Sequence, residues 1–259
     1  MAAGRHASAA PGLWERCRVL LVPALYPGGT RVFDLGADRN HAALGSTRPL
    51  RPSEYGLVLD TSAAGGTVMT LGDRAWYDGP RDLTLVSVVS PTVDNSAGSY
   101  LFRKTGGGND AYYCQWLANE DLQFRVYDTV NTTTSPTIGD GIPTNSSGAW
   151  FCVGCTIRGA TNAVRVWCNG QFAGGTVLGT IGSTNHDIVI GDTDGELDHA
   201  LFGLWDRVLT DPELRRLQAD PYCMLRSRPV TVFRSPPPAG AWKMGPLASP
   251  VFGGQLVRA

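Results

Sequence analysis

The chain has 259 residues, 42% of them hydrophobic and 17% charged, with a net charge of −1. So even a balance supplies no global field to recruit nucleic acid or an anionic membrane. No segment reaches the roughly 18 consecutive apolar residues of a membrane-spanning helix. The 32 glycines and 17 prolines are spread along the chain, which suits many short strands joined by turns.

Residues 1–12 are small and polar and read as an N-terminal arm. They lack the apolar stretch of a secretory signal, so folding in a cytoplasm is expected. Strand-like runs follow at Arg18–Val22, Arg31–Phe33, Gly56–Leu59, Val68–Leu71, Leu83–Val89, Leu101–Arg103, Tyr112–Leu117 and Leu122–Tyr127. The second half adds Trp150–Ile157, Val164–Cys168, Asp187–Ile190 and His199–Trp205. Leu122, Phe124 and Val126 alternate with Gln123, Arg125 and Tyr127, the period of a half-buried strand. Val164, Val166 and Cys168 repeat that alternation, and Asn169-Gly170 predicts a tight hairpin into Gln171-Phe172. Thr210-Asp211-Pro212-Glu213 reads as a capping box opening one short helix, with Leu214 and Leu217 on its apolar side. From residue 226 to 259 the Pro/Gly-rich sequence, with Pro236-Pro237-Pro238, predicts an extended C-terminal arm. The pattern gives an all-β fold, a two-sheet antiparallel jelly-roll sandwich over 13–225, with extended N- and C-terminal arms.

Two stretches carry a family resemblance. Phe33-Asp34-Leu35-Gly36-Ala37-Asp38-Arg39-Asn40-His41-Ala42-Ala43-Leu44 is similar to the D-x-S-G-x-G-N-H-G-x-L segment of laminin-G-like, concanavalin A-like domains. It keeps Asp34, Asn40, His41 and Leu44, with Gly36-Ala37-Asp38-Arg39 in place of Ser-Gly-x-Gly. Residues 198–217 resemble that family's closing strand and helix, and Val166–Gly170 its V-Y-V-N-G hairpin. Gly12-Leu13-Trp14 and Asp220-Pro221-Tyr222-Cys223-Met224-Leu225-Arg226 further resemble laminin-G-like proteins of tailed-phage virions. That resemblance implies a non-enzymatic virion structural protein, a capsid decoration or tail-associated subunit anchored on other virion proteins by its arms. Homo-oligomerisation goes with that reading. The alternative it implies is a glycan-binding module, and some domains of this class bind calcium at a sheet rim.

Several residues bear on a site. Asp34, Asn40 and His41 could bind a sugar or metal, or Asp34 and Asn40 could close a turn with their own side chains, His41 packed over it; the composition favours the turn. Asp192–Asp198 is acidic, but Gly203 stands where an EF-hand needs its twelfth-position glutamate, so a hairpin turn is expected and calcium is left to a shallow site. Among the aromatic pairs Trp76–Tyr77, Tyr112–Tyr113 and Trp150–Trp167, the glycan-contact candidates are Trp167, expected to face outward, with Trp76 and Tyr77. Gly106-Gly107-Gly108 lacks the lysine and helix of a phosphate loop. No E-x-D-x-(x)-E strand motif supplies paired glycosidase carboxylates and no G-x-S-x-G elbow supplies a serine nucleophile, so neither catalytic residues nor a cofactor are expected. The six cysteines include Cys152-Val153-Gly154-Cys155, whose thiols an extended strand sends to opposite faces as small buried hydrophobes.

Overall fold

A computed structural model describes residues 11–25, 29–45, 50–59, 69–79, 81–92, 98–105, 111–143, 148–191 and 197–226, all within one compact unit, Met1–Ser227. Of the N-terminal arm expected over 1–12, residues 1–10 lie outside the described residues, as do 227–259 of the C-terminal arm. Pro11 and Gly12 belong instead to a helical turn, α1 (Pro11–Trp14).

Strands follow in chain order: β1 (Cys17–Leu21), β2 (Arg31–Val32), β3 (Ala42–Leu44), β4 (Leu50–Ser53), β5 (Gly56–Leu59) and β6 (Met69–Leu71). The middle of the chain forms β7 (Leu83–Pro91), β8 (Ser99–Lys104), β9 (Tyr112–Trp116), β10 (Leu122–Tyr127), β11 (Thr133–Thr134) and β12 (Thr137–Ile138). Then come β13 (Phe151–Arg158), β14 (Ala163–Cys168), β15 (Gln171–Thr176), β16 (Ile188–Ile190), β17 (Leu197–Trp205) and the helix α2 (Asp211–Ala219).

These strands build two antiparallel sheets. The first runs β15-β14-β13-β7-β17-β5-β4, with β1 also paired to β17; the second runs β11-β10-β9-β8-β16-β6-β3-β2, with β12 on β10. The two-sheet sandwich is thus the fold. Its inner core comes from alternate residues of facing strands. Val153, Cys155, Val164, Val166, Phe202 and Leu204 of the first sheet meet Phe102, Cys114, Trp116, Leu122, Phe124 and Val126 of the second.

The predicted alternation of β10 is present: Leu122, Phe124 and Val126 are buried while Gln123, Arg125 and Tyr127 stay half-buried. The β14–β15 hairpin closes through Asn169 at φ 46° and Gly170 at φ 89°, both left-handed, with Cys168 opposite Gln171. Cys155 lies in the inner core and Cys152 on the opposite face, as odd spacing on a strand requires.

β7 and β17 are buried at every position because the first sheet is covered on both faces. A third layer of α1, α2 and the turn after α2 lies on its outer face. Leu13, Leu209, Leu214, Leu217, Cys223 and Met224 pack there on Val86, Val88, Leu201 and Trp205. Trp205 Nε1 donates to Leu13 O (2.7 Å) and Trp14 Nε1 to Met224 O (2.7 Å), which joins the two ends of the sandwich. The capping box of α2 forms as predicted, its Thr210 N–H and hydroxyl donating to Glu213.

This layer corrects the expectation for Trp167. Its side chain does leave the inner core, opposite to Val166. Because α2 lies over that face, the ring is only 1% exposed and offers no surface to a sugar.

Candidate binding site

The Asp34–His41 segment closes on itself. The Asp34 carboxylate, 1% exposed, accepts from Leu20 N (2.8 Å) and Gly36 N (2.7 Å) through Oδ1 and from Asn40 N (2.7 Å) through Oδ2. Its own N–H donates to His41 Nδ1 (3.0 Å), and the His41 ring meets Phe33 edge-on at 5.1 Å. Asp34 thus closes a turn with its own carboxylate, the reading the composition favours, whereas Asn40 gives that turn only its backbone N–H and sends its side chain elsewhere. At Gly36 a side chain would have no room, since an added Cβ would lie 2.2 Å from Arg18 O. The turn thus presses directly against β1.

That close seat has a consequence two residues on. Asp38 reaches Arg18 Nη1 (3.5 Å) and accepts from Trp76 Nε1 (2.6 Å). Asn40 Nδ2 donates to Tyr77 Oη (2.7 Å) and Gly72 O (2.8 Å), fixing the short 3-10 turn Ala75–Tyr77. From the other side, the fully buried Lys104 ammonium binds Asp73 Oδ1 (2.8 Å), Asp78 Oδ1 (3.0 Å) and the carbonyls of Thr184 and His186. Asp73 and Asp78 flank the turn, so Trp76 is held from both ends.

Trp76 forms one wall of an open cleft of ≈ 470 Å³ lined also by Arg16, Arg18, Arg81, Asp82 and Asp206. The Arg18 guanidinium lies over the Trp76 ring, 5.5 Å from its centroid. Asp206 takes the Nε of both Arg16 and Arg18, each at 2.7 Å. Its side chain is 19% exposed, against 57% for Arg16 and 39% for Arg18, so the carboxylate sits beneath the two cations. Asp82 Oδ1 accepts from Gly159 N (3.0 Å). The cleft thus offers an indole wall, guanidinium donors towards solvent and carboxylate acceptors, a set suited to hydroxyl-rich ligands.

Of the three glycan-contact candidates, only Trp76 reaches this surface. Tyr77 is 1% exposed and its hydroxyl accepts from Asn40; burial pushes its phenol up to about 12. It is a support, not a contact. Tyr112 and Tyr113 are buried, and half-buried Trp150 packs edge-on against Tyr55 at 5.1 Å. Gly106–Gly108 and residues 192–196 of the acidic stretch lie outside the described residues; Asp198, at its end, is buried and pairs with Arg51. Among the described residues, no group of three or more His, Cys, Asp or Glu is placed to hold a metal.

Sequence reasoning missed Arg16, Arg18, Arg81, Asp82 and Asp206. They come from the start of β1, the approach to β7 and the residue after β17, and nothing local marks them as neighbours. A second, smaller cavity of ≈ 200 Å³ lies beside α2 between Gly154, Trp167 and Leu214. The guanidinium at its edge, Arg165, is committed to Asp211 through two bonds (2.8 and 3.1 Å) and to the Phe172 ring at 3.9 Å.

No family model matches the chain, and no curated protein matches it in sequence. Solved structures of similar fold do exist. The binding domain of botulinum neurotoxin serotype D superposes with a TM-score of 0.64 at 13% identity, over 82% of this chain and 52% of that one. A botulinum neurotoxin DC binding domain in complex with SialylT gives 0.60 at 15% identity, over 79% and 51%. The serotype G receptor-binding domain gives 0.57 at 14%, over 79% and 51%. This chain spans about half the length of those domains, and at such identities the likeness establishes that it shares their β-sandwich fold.

Proposed function

We propose that this chain is a non-enzymatic binding module that recognises glycans through the Trp76 cleft. The observation that carries the reading is Trp76 itself: a partly exposed indole, pinned from both ends, walls a cleft whose other residues are arginines and aspartates. Sugars present C–H faces to aromatic surfaces and hydroxyls to paired donors and acceptors, and this lining supplies both. The fold likeness is in keeping with it, since the neighbouring structures are receptor-binding domains and one was solved in complex with SialylT.

The test is saturable binding of the full chain on a glycan panel, followed by calorimetry on the best ligand. Trp76→Ala should weaken that ligand about tenfold or more, the scale of losing one anchoring aromatic. The exposed Phe172→Ser, remote from the cleft, should bind as the parent does. A panel without binding, or Trp76→Ala binding at parental strength, overturns the proposal.

A phage-particle role remains the second reading, with the sandwich displayed and the arms laid on other virion subunits. One observation favours it: the Trp14–Met224 bond brings both ends of the sandwich together. Mass spectrometry of purified particles tests this reading, and absence of the chain from them ends it.

A further inference from the structure

The charge arrangement of the cleft specifies its ligand more narrowly. Asp206 receives the side-on Nε of Arg16 and of Arg18, so each guanidinium is anchored by its inner edge. An arginine held through Nε leaves the edge between its two terminal nitrogens open to another partner. Arg18 adds a 3.5 Å contact to Asp38, whereas the terminal nitrogens of Arg16 have no partner among the described residues. Arg81, exposed in the same lining, makes no ion pair among the described residues, and the neighbouring Asp82 uses Oδ1 on Gly159 N. The lining carries three guanidinium groups against two carboxylates, and the better-screened carboxylate lies underneath.

Resting on the glycan-binding reading, we propose that the cleft is built for an acidic saccharide, whose anionic group bridges Arg81 and Arg16 while its ring lies against Trp76. A neutral sugar would leave Arg81 without an ion pair among the described residues and would give the outer nitrogens of Arg16 no charged partner. A carboxylate or sulfate matches them in shape and charge, and such charge-assisted bonds are the stronger kind.

The experiment presents the full chain with three oligosaccharides of matched length: neutral, uronate-containing and sulfated. The expected result is at least about tenfold tighter binding of an acidic member than of the neutral one, the scale of one charged hydrogen-bonded contact. That advantage should shrink as salt rises. Arg81→Gln should abolish most of the acidic preference, and Leu178→Ser, on an exposed loop elsewhere, should keep it. Uronate over sulfate, or the reverse, identifies which anion the forks prefer, and either supports the inference. Equal binding of neutral and acidic members, or an acidic preference untouched by Arg81→Gln, overturns this inference and leaves glycan recognition standing. Binding of none of the panel removes glycan recognition itself.

Discussion

His199 lies wholly buried on β17, with Ser87 Oγ 3.3 Å from its Nδ1 and no partner for Nε2 among the described residues. Burial penalises the imidazolium and lowers the histidine from its usual 6.5 to about 4. Between those values the unfolded chain takes a proton that the native chain refuses. Stability therefore falls as pH drops from 6.5 towards 4, by up to about 3 kcal/mol from this group. The buried carboxyls of Asp34 and Asp78 are pushed upward by burial and act in the opposite sense in the acid range. Urea midpoints of the parent and His199→Gln at pH 7, 5.5 and 4.5 separate the contributions: the variant should lose the His199 part of the slope, and parallel curves would contradict this. At this scale the sequence was informative about Asp34, whose carboxylate takes the backbone N–H of Gly36 and Asn40 a few residues on. It singled out Trp76 as a contact candidate but not its partners Asp38 and Arg18, which lie far away along the chain.

Among the elements, α2 decides how much of the first sheet meets water. Its capping box and its apolar pair Leu214 and Leu217 were readable locally, because both depend on spacings of three residues. Where the helix docks was not readable. It settles over Gly154 of β13, where an added Cβ would lie 2.8 Å from Leu214 Cδ2, so the missing side chain admits the leucine. Leu214→Ala should cost about 3 kcal/mol through the cavity left there, measured by chemical denaturation. A loss below about 1 kcal/mol would show that the helix is not closely seated. The same docking explains the misjudged Trp167: alternation correctly put it on the far face of β14, but not beneath a helix formed more than forty residues later. The short strands β3, β4, β11 and β12 also escaped notice, since Ala42–Leu44, Leu50–Ser53, Thr133–Thr134 and Thr137–Ile138 hold no run of β-branched or aromatic apolar residues to mark them.

For the whole molecule, closure of the sandwich depends on contacts between its distant ends. Trp205 donates to Leu13 from 192 positions away, and β1 pairs with β17 along its length. All six cysteines are buried free thiols within this closed body. Burial raises the thiols of Cys17, Cys152 and Cys155 and pushes Cys168 up to about 12. A thiol reagent at pH 8 should therefore find no fast-reacting group in the native protein and six after guanidinium unfolding. A fast native thiol would mean that one of the two packed layers opens readily.

The amino-acid sequence by itself determined the strand-rich class, the positions of most long strands, the Asn169-Gly170 hairpin and the capped helix. Each is set by interactions within a few residues or by a period along one strand. Tertiary structure alone decided that the first sheet is covered on both faces and that Arg16, Arg18, Trp76, Arg81 and Asp206 share one cleft. Periodicity says which face a side chain takes. What covers that face, and which distant loop arrives beside it, is settled only when the two sheets close.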